Sequence, residues 1–136
     1  MMQILMLRIN PIKFALYGIK LGKQPRICNH VYLHVHPKSS VTIGDSFTMT
    51  SGENFNPLCR NIKGTIYAER EDTVIKIGNH VGMSSTCLWA KCEIIIDDHV
   101  NIGGDCIIMD SDAHNLNWHV RDSGEMFDAT TTMDVH

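Results

Sequence analysis

The sequence predicts an all-β fold: a parallel β-helix of six-residue repeats, with a short helix in front of it. Three observations predict it. One pattern occurs three times, as Val41-Thr42-Ile43-Gly44-Asp45-Ser46-Phe47-Thr48-Met49, as Ile75-Lys76-Ile77-Gly78-Asn79-His80-Val81-Gly82-Met83, and as Ile94-Ile95-Ile96-Asp97-Asp98-His99-Val100-Asn101-Ile102. In every copy apolar residues stand at i, i+4 and i+6, and Gly or Asp follows i at once. Turn-forming residues therefore punctuate the chain about every six positions, whereas a β-sandwich wants hairpin turns about every 8–12.

The physics of such a repeat is simple. Six residues make one short strand and one corner, and three units close a triangular coil of about eighteen residues. The residue at i points into the prism. Gly, Asn or Asp after it tolerates the left-handed backbone of a corner. Successive coils stack like side chains on like. This register makes Ile77, Val81, Met83, Cys87, Ile96, Val100, Ile102, Cys106 and Ile108 core, with Cys87 and Cys106 on neighbouring coils.

The elements follow in chain order. Asn10-Pro11 predicts a helix start, Asn as the cap and Pro at the first helical position. Ile12, Leu16 and Ile19 recur at helical spacing and Gly22 is the stop, so a short helix is expected over about residues 11–21, its apolar stripe covering one end of the core. Val31, Leu33 and Val35 alternate with Tyr32, His34 and His36, a strand with one buried face. His34 and His36 read as a solvated face rather than a metal pair. Residues 1–40 thus form a helix and lead-in strand, residues 41–110 the repeat, and residues 111–136 a loop and tail. Within the repeat, Asn54 to Thr73 fits poorly and makes one irregular coil with Ile62, Ile66 and Val74 inward.

Composition excludes several classes. The chain has 136 residues, 43% hydrophobic and 20% charged, enough for one domain with a modest core. A net charge of -3 supplies no basic field for nucleic acid. No apolar run reaches membrane-spanning length, and Met1 to Arg8 lacks the features of a signal peptide. Five cysteines without zinc-like pair spacing fit free thiols in a reducing cytoplasm.

After Ile108 the periodicity stops. The polar stretch from Met109 to Phe127 contains Asp112, His114, Trp118, His119, Arg121 and Glu125. A loop leaving a rigid solenoid is where binding and catalysis concentrate. From Ile77 to Phe127 the chain resembles, without gaps, the galactoside and maltose O-acetyltransferases, and more closely the related polysaccharide-modifying acetyltransferases. Ile77-Gly78-Asn79 and Ile96-Asp97-Asp98-His99-Val100 match family coil starts. His114 falls on the family's catalytic histidine. Arg121 and Gly124-Glu125-Met126-Phe127 fall on a family Arg and a Gly-Glu-Met-aromatic string.

The resemblance implies a left-handed parallel β-helix, acetyl-CoA as donor, no metal, and a homotrimer with active sites between subunits. It implies a cytoplasmic O-acetyltransferase acting on a sugar hydroxyl in surface polysaccharide biosynthesis. His114 would be the general base, since an imidazole titrates near working pH. Glu125, on the family's carboxylate position, or else Asp112, two residues before His114, would orient the ring. Ser84, Ser85, Trp118, Arg121 and Met126 are candidate substrate contacts, although Ser84 and Ser85 read equally well as corner residues and Trp118 as packing for the loop. Trp89 is expected at a subunit interface. The galactoside enzymes hold their sugar with Tyr, Asn and Asp where this chain has Gly82, Ser84 and Cys92, so galactoside does not carry over. Family members continue for two or more coils where this sequence ends at His136, which makes a truncated, non-catalytic trimeric remnant the alternative. A second alternative is a γ-carbonic-anhydrase-like zinc site on His80, His114 and His119.

Overall fold

The structure, a computed structural model, describes residues 2–52, 62–114 and 116–123. Among them, α1 (Met2–Leu16) leads into twelve strands: β1 (Lys20–Leu21), β2 (Arg26–Cys28), β3 (Tyr32–Val35), β4 (Ser40–Ile43), β5 (Thr48–Thr50), β6 (Thr65–Ala68), β7 (Val74–Ile77), β8 (Gly82–Ser84), β9 (Cys87–Ala90), β10 (Glu93–Ile96), β11 (Asn101–Ile102) and β12 (Ile107–Met109). A short helix, α2 (Trp118–Asp122), follows. Every third strand joins the same sheet. The three sheets run β1-β4-β7-β10, β2-β5-β8-β11 and β3-β6-β9-β12, here called the first, second and third, and all pairings are parallel. This is a three-sided parallel solenoid, with four coils among the described residues.

The repeat register is observed. Val41 pairs with Ile75 and Ile75 with Ile94, and Ile43, Ile77 and Ile96 stack in the same column. The coils also reach ahead of Val41, because Leu21 pairs with Ile43 and Ile27 with Met49. The core is a column of buried aliphatics from Ile19 and Ile27 to Ile94 and Ile96, with Phe47 and Met49 in the second coil. Cys87 differs from the expected register. It and Cys106 do sit on neighbouring coils, the Cys87 amide donating to the Cys106 carbonyl at 2.9 Å, and both are half-buried; Leu88 points inward in place of Cys87, while Ile108 packs on the core as expected with Cys106 two residues before it. In β9 one residue more than the repeat allows separates Met83 from the next inward position, Leu88, which shifts that strand's phase by one and exchanges its two faces. Among the irregular coil's expected inward residues, Ile66 is fully buried, Val74 yields its place to Ile75, and Ile62 is half-buried.

The corners show why glycine follows i. Gly44 and Gly78 are not left-handed; the left-handed residues are Gln24, Ser46, His80 and His99, two positions later. Glycine is required because the next coil's Asx side chain lies against it. A Cβ on Gly44 would stand 2.6 Å from Asn79 Oδ1, and one on Gly78 would press on the Asp98 backbone nitrogen at 2.6 Å. Those Asx side chains form a ladder along one edge of the prism. The Lys23 amide donates to Asp45 at 2.7 Å, the Asp45 amide to Asn79 at 2.9 Å, and the Asn79 amide to Asp98 at 2.6 Å. The Asn79 backbone amide, and after it the Asn79 side-chain amide, which also donates to Asp98 at 3.3 Å, hold the Asp98 carboxyl below its ordinary value.

The N-terminal helix departs most from expectation. It spans Met2–Leu16 rather than about 11–21, and Asn10 is not its cap. Asn10 is buried in mid-helix, its side-chain amide donating to the carbonyls of Ile27 at 2.8 Å and Asn29 at 2.9 Å. Lys13 Nζ donates to the Val31 carbonyl at 2.5 Å. Burial, then the charge of Lys63, holds the Lys13 pKa down. Together these side chains satisfy carbonyls on the first coil's open edge, which has no coil before it. Helix docking on β1 and β2 compensates for the hydrogen bond that Pro11 cannot make. The stop is Gly18 at φ 77, not Gly22. The Ile19 amide bonds the Phe14 carbonyl and the Gly18 amide that of Ala15, a Schellman arrangement that seats Phe14 and Ile19 in the core. Ile12 and Leu16, expected inward, face out.

Candidate functional site

Two regions carry candidate chemistry, and they lie on different parts of the solenoid. The first is an open groove of about 610 Å³ along the outer face of the second sheet. Strand alternation builds it: Met49, Met83 and Ile102 point inward, so Thr48, Thr50, Gly82, Ser84 and Asn101 project outward. His80, left-handed at its corner, closes one side and stacks on His99 of the next coil, with ring centroids 4.8 Å apart and planes within 6°. Glycine at 82 is a packing need, since a Cβ there would meet Asn101 Oδ1 at 2.5 Å. Ser84 is half-buried and its hydroxyl lies 3.3 Å from that of Thr50. Ser85 is fully buried and its hydroxyl accepts the Gly52 amide at 2.9 Å, so its contacts are those of a corner residue.

The second region begins where β12 ends. Asp110 is committed to structure: its carboxylate accepts the amides of Lys91, Cys92 and Glu93 at 2.8, 2.5 and 2.7 Å, tying down the corner of the coil before it. Beyond it Ser111 is buried, Asp112 half-buried and His114 exposed. Asn117 caps α2, its side chain accepting the His119 amide at 3.1 Å. Trp118 and Arg121 sit on this helix, both exposed, and the Trp118 ring lies over that of His119 at 3.5 Å. Glu125 and Met126 lie outside the described residues.

The structure thus brings Ser84 and the Gly82 position into one groove, and places Trp118 and Arg121 together on α2. Within one chain His114 is not among the residues that line the groove. Cys92 is also elsewhere, at the corner held by Asp110. Among the described residues no three His, Cys, Asp or Glu side chains are grouped to hold a metal ion, and the ring of His80 stacks on that of His99. Burial raises the Cys87 thiol pKa against a lowering hydrogen bond from Thr65, which leaves it a poor nucleophile.

The third sheet carries a feature that spacing alone did not single out. Its outward positions stack rings from coil to coil: His34 on Tyr67 at 4.3 Å and Tyr67 edge-on to Trp89 at 5.9 Å. The Trp89 indole donates to Glu69 at 2.5 Å. Burial, then Glu69 and Tyr32, raises the Tyr67 pKa. The groove residues Thr48, Thr50 and Asn101 were also missed, although their outward phase follows from the core register once that register is known.

No family model matches the chain, and no curated protein or solved structure matches it significantly.

Proposed function

We propose that this chain is a hexapeptide-repeat O-acetyltransferase, a left-handed β-helix that moves an acetyl group from acetyl-CoA to a sugar hydroxyl in the cytoplasm. The observation that carries the reading is the placement of His114: an exposed imidazole in the non-repetitive segment that directly follows the fourth coil of a three-sheeted parallel solenoid. That is the position the resemblance assigns to the catalytic base. His114 takes the proton of the acceptor hydroxyl as its oxygen attacks the thioester carbonyl, and returns that proton to the departing thiolate. The carbonyl oxygen gains charge in that step and is held by backbone amides.

The groove supplies the acceptor's contacts. Among the described residues its lining offers the hydroxyls of Thr48, Thr50 and Ser84 and the Asn101 amide, with His80 as the one titratable side chain and no Lys or Arg. It suits a neutral polyhydroxyl acceptor and not the phosphates of the donor. Because His114 does not line the groove of its own chain, the reading requires an assembly, a homotrimer in which His114 of one protomer meets the groove of the next. The same separation favours a second reading, a solenoid without catalysis.

One experiment separates them. The chain is incubated with acetyl-CoA and a panel of sugars, and products are detected by mass. Acetylated sugar is expected from the parent, with a loss of about a hundredfold or more in His114→Ala. No product from the parent, or an undiminished rate in the variant, overturns the transferase reading.

A further inference from the structure

The helix α1 has two apolar faces, and only one is used by the core. Phe14 and Asn10 face the first coil and are buried. On the opposite side Leu5, Ile9, Ile12 and Leu16 fall within a narrow stripe at spacings of four, three and four residues, all exposed, with Ile12 at 64% and Leu16 at 81%. Four aligned large aliphatics facing water on a 15-residue helix need a partner. The charge around them indicates which. The first acidic residue in the chain is Asp45, and before it stand Arg8, Lys13, Lys20, Lys23, Arg26 and Lys38, whereas fifteen acidic residues are distributed from Asp45 onward. Lys13 is turned inward on Val31 and Lys38 is paired with Glu71 at 2.9 Å. Arg8, Lys20, Lys23 and Arg26 are exposed, one on α1 and three on the coil beneath it.

We infer that α1 docks this end of the solenoid onto an anionic lipid bilayer, lying in the plane of the headgroups with Leu5, Ile9, Ile12 and Leu16 among the acyl chains and the four basic residues against the lipid charge. An apolar stripe flanked by basic residues is what an in-plane helix needs, and each basic residue near an anionic surface adds to the attraction. The helix lies on the membrane and does not cross it: no described helix is long and apolar enough to span a bilayer. The acidic remainder of the chain is repelled by the same surface, which orients the solenoid with its N-terminal coil down. The inference does not depend on the acetyltransferase reading.

The test is sedimentation of the full chain with vesicles of phosphatidylcholine alone or of equal parts phosphatidylcholine and phosphatidylglycerol. Binding is expected to the anionic vesicles, weaker to the neutral ones, and weakened at about 0.5 M salt. The pair Ile12→Glu with Leu16→Glu should bind at least about tenfold more weakly. The triple Lys20→Glu, Lys23→Glu, Arg26→Glu should lose the preference for anionic lipid. All five positions are outside the core, so unchanged thermal melting shows that the fold persists, and the milder pair Ile12→Ser with Leu16→Ser replaces the first if it does not. Failure of the parent to bind anionic vesicles overturns the inference, as does binding that ignores these substitutions. A dimer dissociated by Leu16→Glu, in a chain that ignores vesicles, would assign the stripe to a second copy of α1 instead.

Discussion

The two ends of the coil stack are built from the same repeat and are finished differently. At the N-terminal end α1 lies over the first coil. Phe14 and Ile19 complete the core, and Asn10 and Lys13 satisfy edge carbonyls. In the fourth coil Val100, Ile102 and Ile108 occupy the same columns as deeply buried residues below them, yet they are only partly buried. Asp97 stands where the earlier coils have Gly22, Gly44 and Gly78, and no described Asx ladder residue lies over it. The difference teaches that burial in a solenoid belongs to the neighbour and not to the repeat. Identical hexads are core or rim according to what is stacked on them.

The comparison breaks most visibly at Phe14. Phe14→Ala should cost about 3–5 kcal/mol in urea unfolding, and Ile108→Ala in the partly covered coil less than half of that. Equal losses would mean that both ends are sealed alike. Next in size is the glycine column. Gly78→Ala drives a Cβ onto the Asp98 backbone and should cost about 1–3 kcal/mol. Asp97→Ala, at the equivalent place in the last described coil, should change stability by no more than about 0.5 kcal/mol. A large loss at Asp97 would show that something covers it.

Asp110 sharpens the comparison from the other side, because it ties the fourth coil back to the third. Asp110→Ala removes the acceptor for three amides and should cost about 1–3 kcal/mol, with Asp110→Asn recovering part of it. The smallest effect is the pH response of the corner ladder. The Asp98 carboxyl is depressed below its ordinary 3.8 by the Asn79 amides, so the stability it adds is present above that value and is lost as pH falls through the lower folded one. Melting followed downward from about pH 5 should show a shallow decline, and Asp98→Asn should flatten it.

The candidate site was only partly legible. His114 stands out in the sequence because the hexad pattern stops before it, and Ser84 because it falls where the galactoside enzymes place a sugar-holding residue. The groove was not legible, since it is assembled from positions in the second, third and fourth coils that are brought together only by stacking. Ser85 illustrates the limit. Its neighbour Ser84 has the same side chain, yet the corner turns Ser85 into the protein, onto the Gly52 amide. What separates them is the left-handed backbone at Ser85, which ends the strand that holds Ser84.

The helix departs from its sequence signals for a related reason. Asn10-Pro11 has the chemistry of a helix start, and that chemistry is real in an isolated peptide. Edge carbonyls at Ile27 and Asn29 offered Asn10 better partners, and docking against β1 and β2 carried the helix through the proline.

By itself the sequence determined the period of the strands, the columns Val41–Ile75–Ile94 and Ile43–Ile77–Ile96, and the segment where the repeat gives way. These follow from the spacing of apolar residues along one chain, which is local information. Only the tertiary structure decided which face of α1 is buried, why glycine follows Ile43 and Ile77, and which polar residues share a groove. Each of those depends on what the next coil places within a few ångströms, and that neighbour is as far as 34 positions away in the chain.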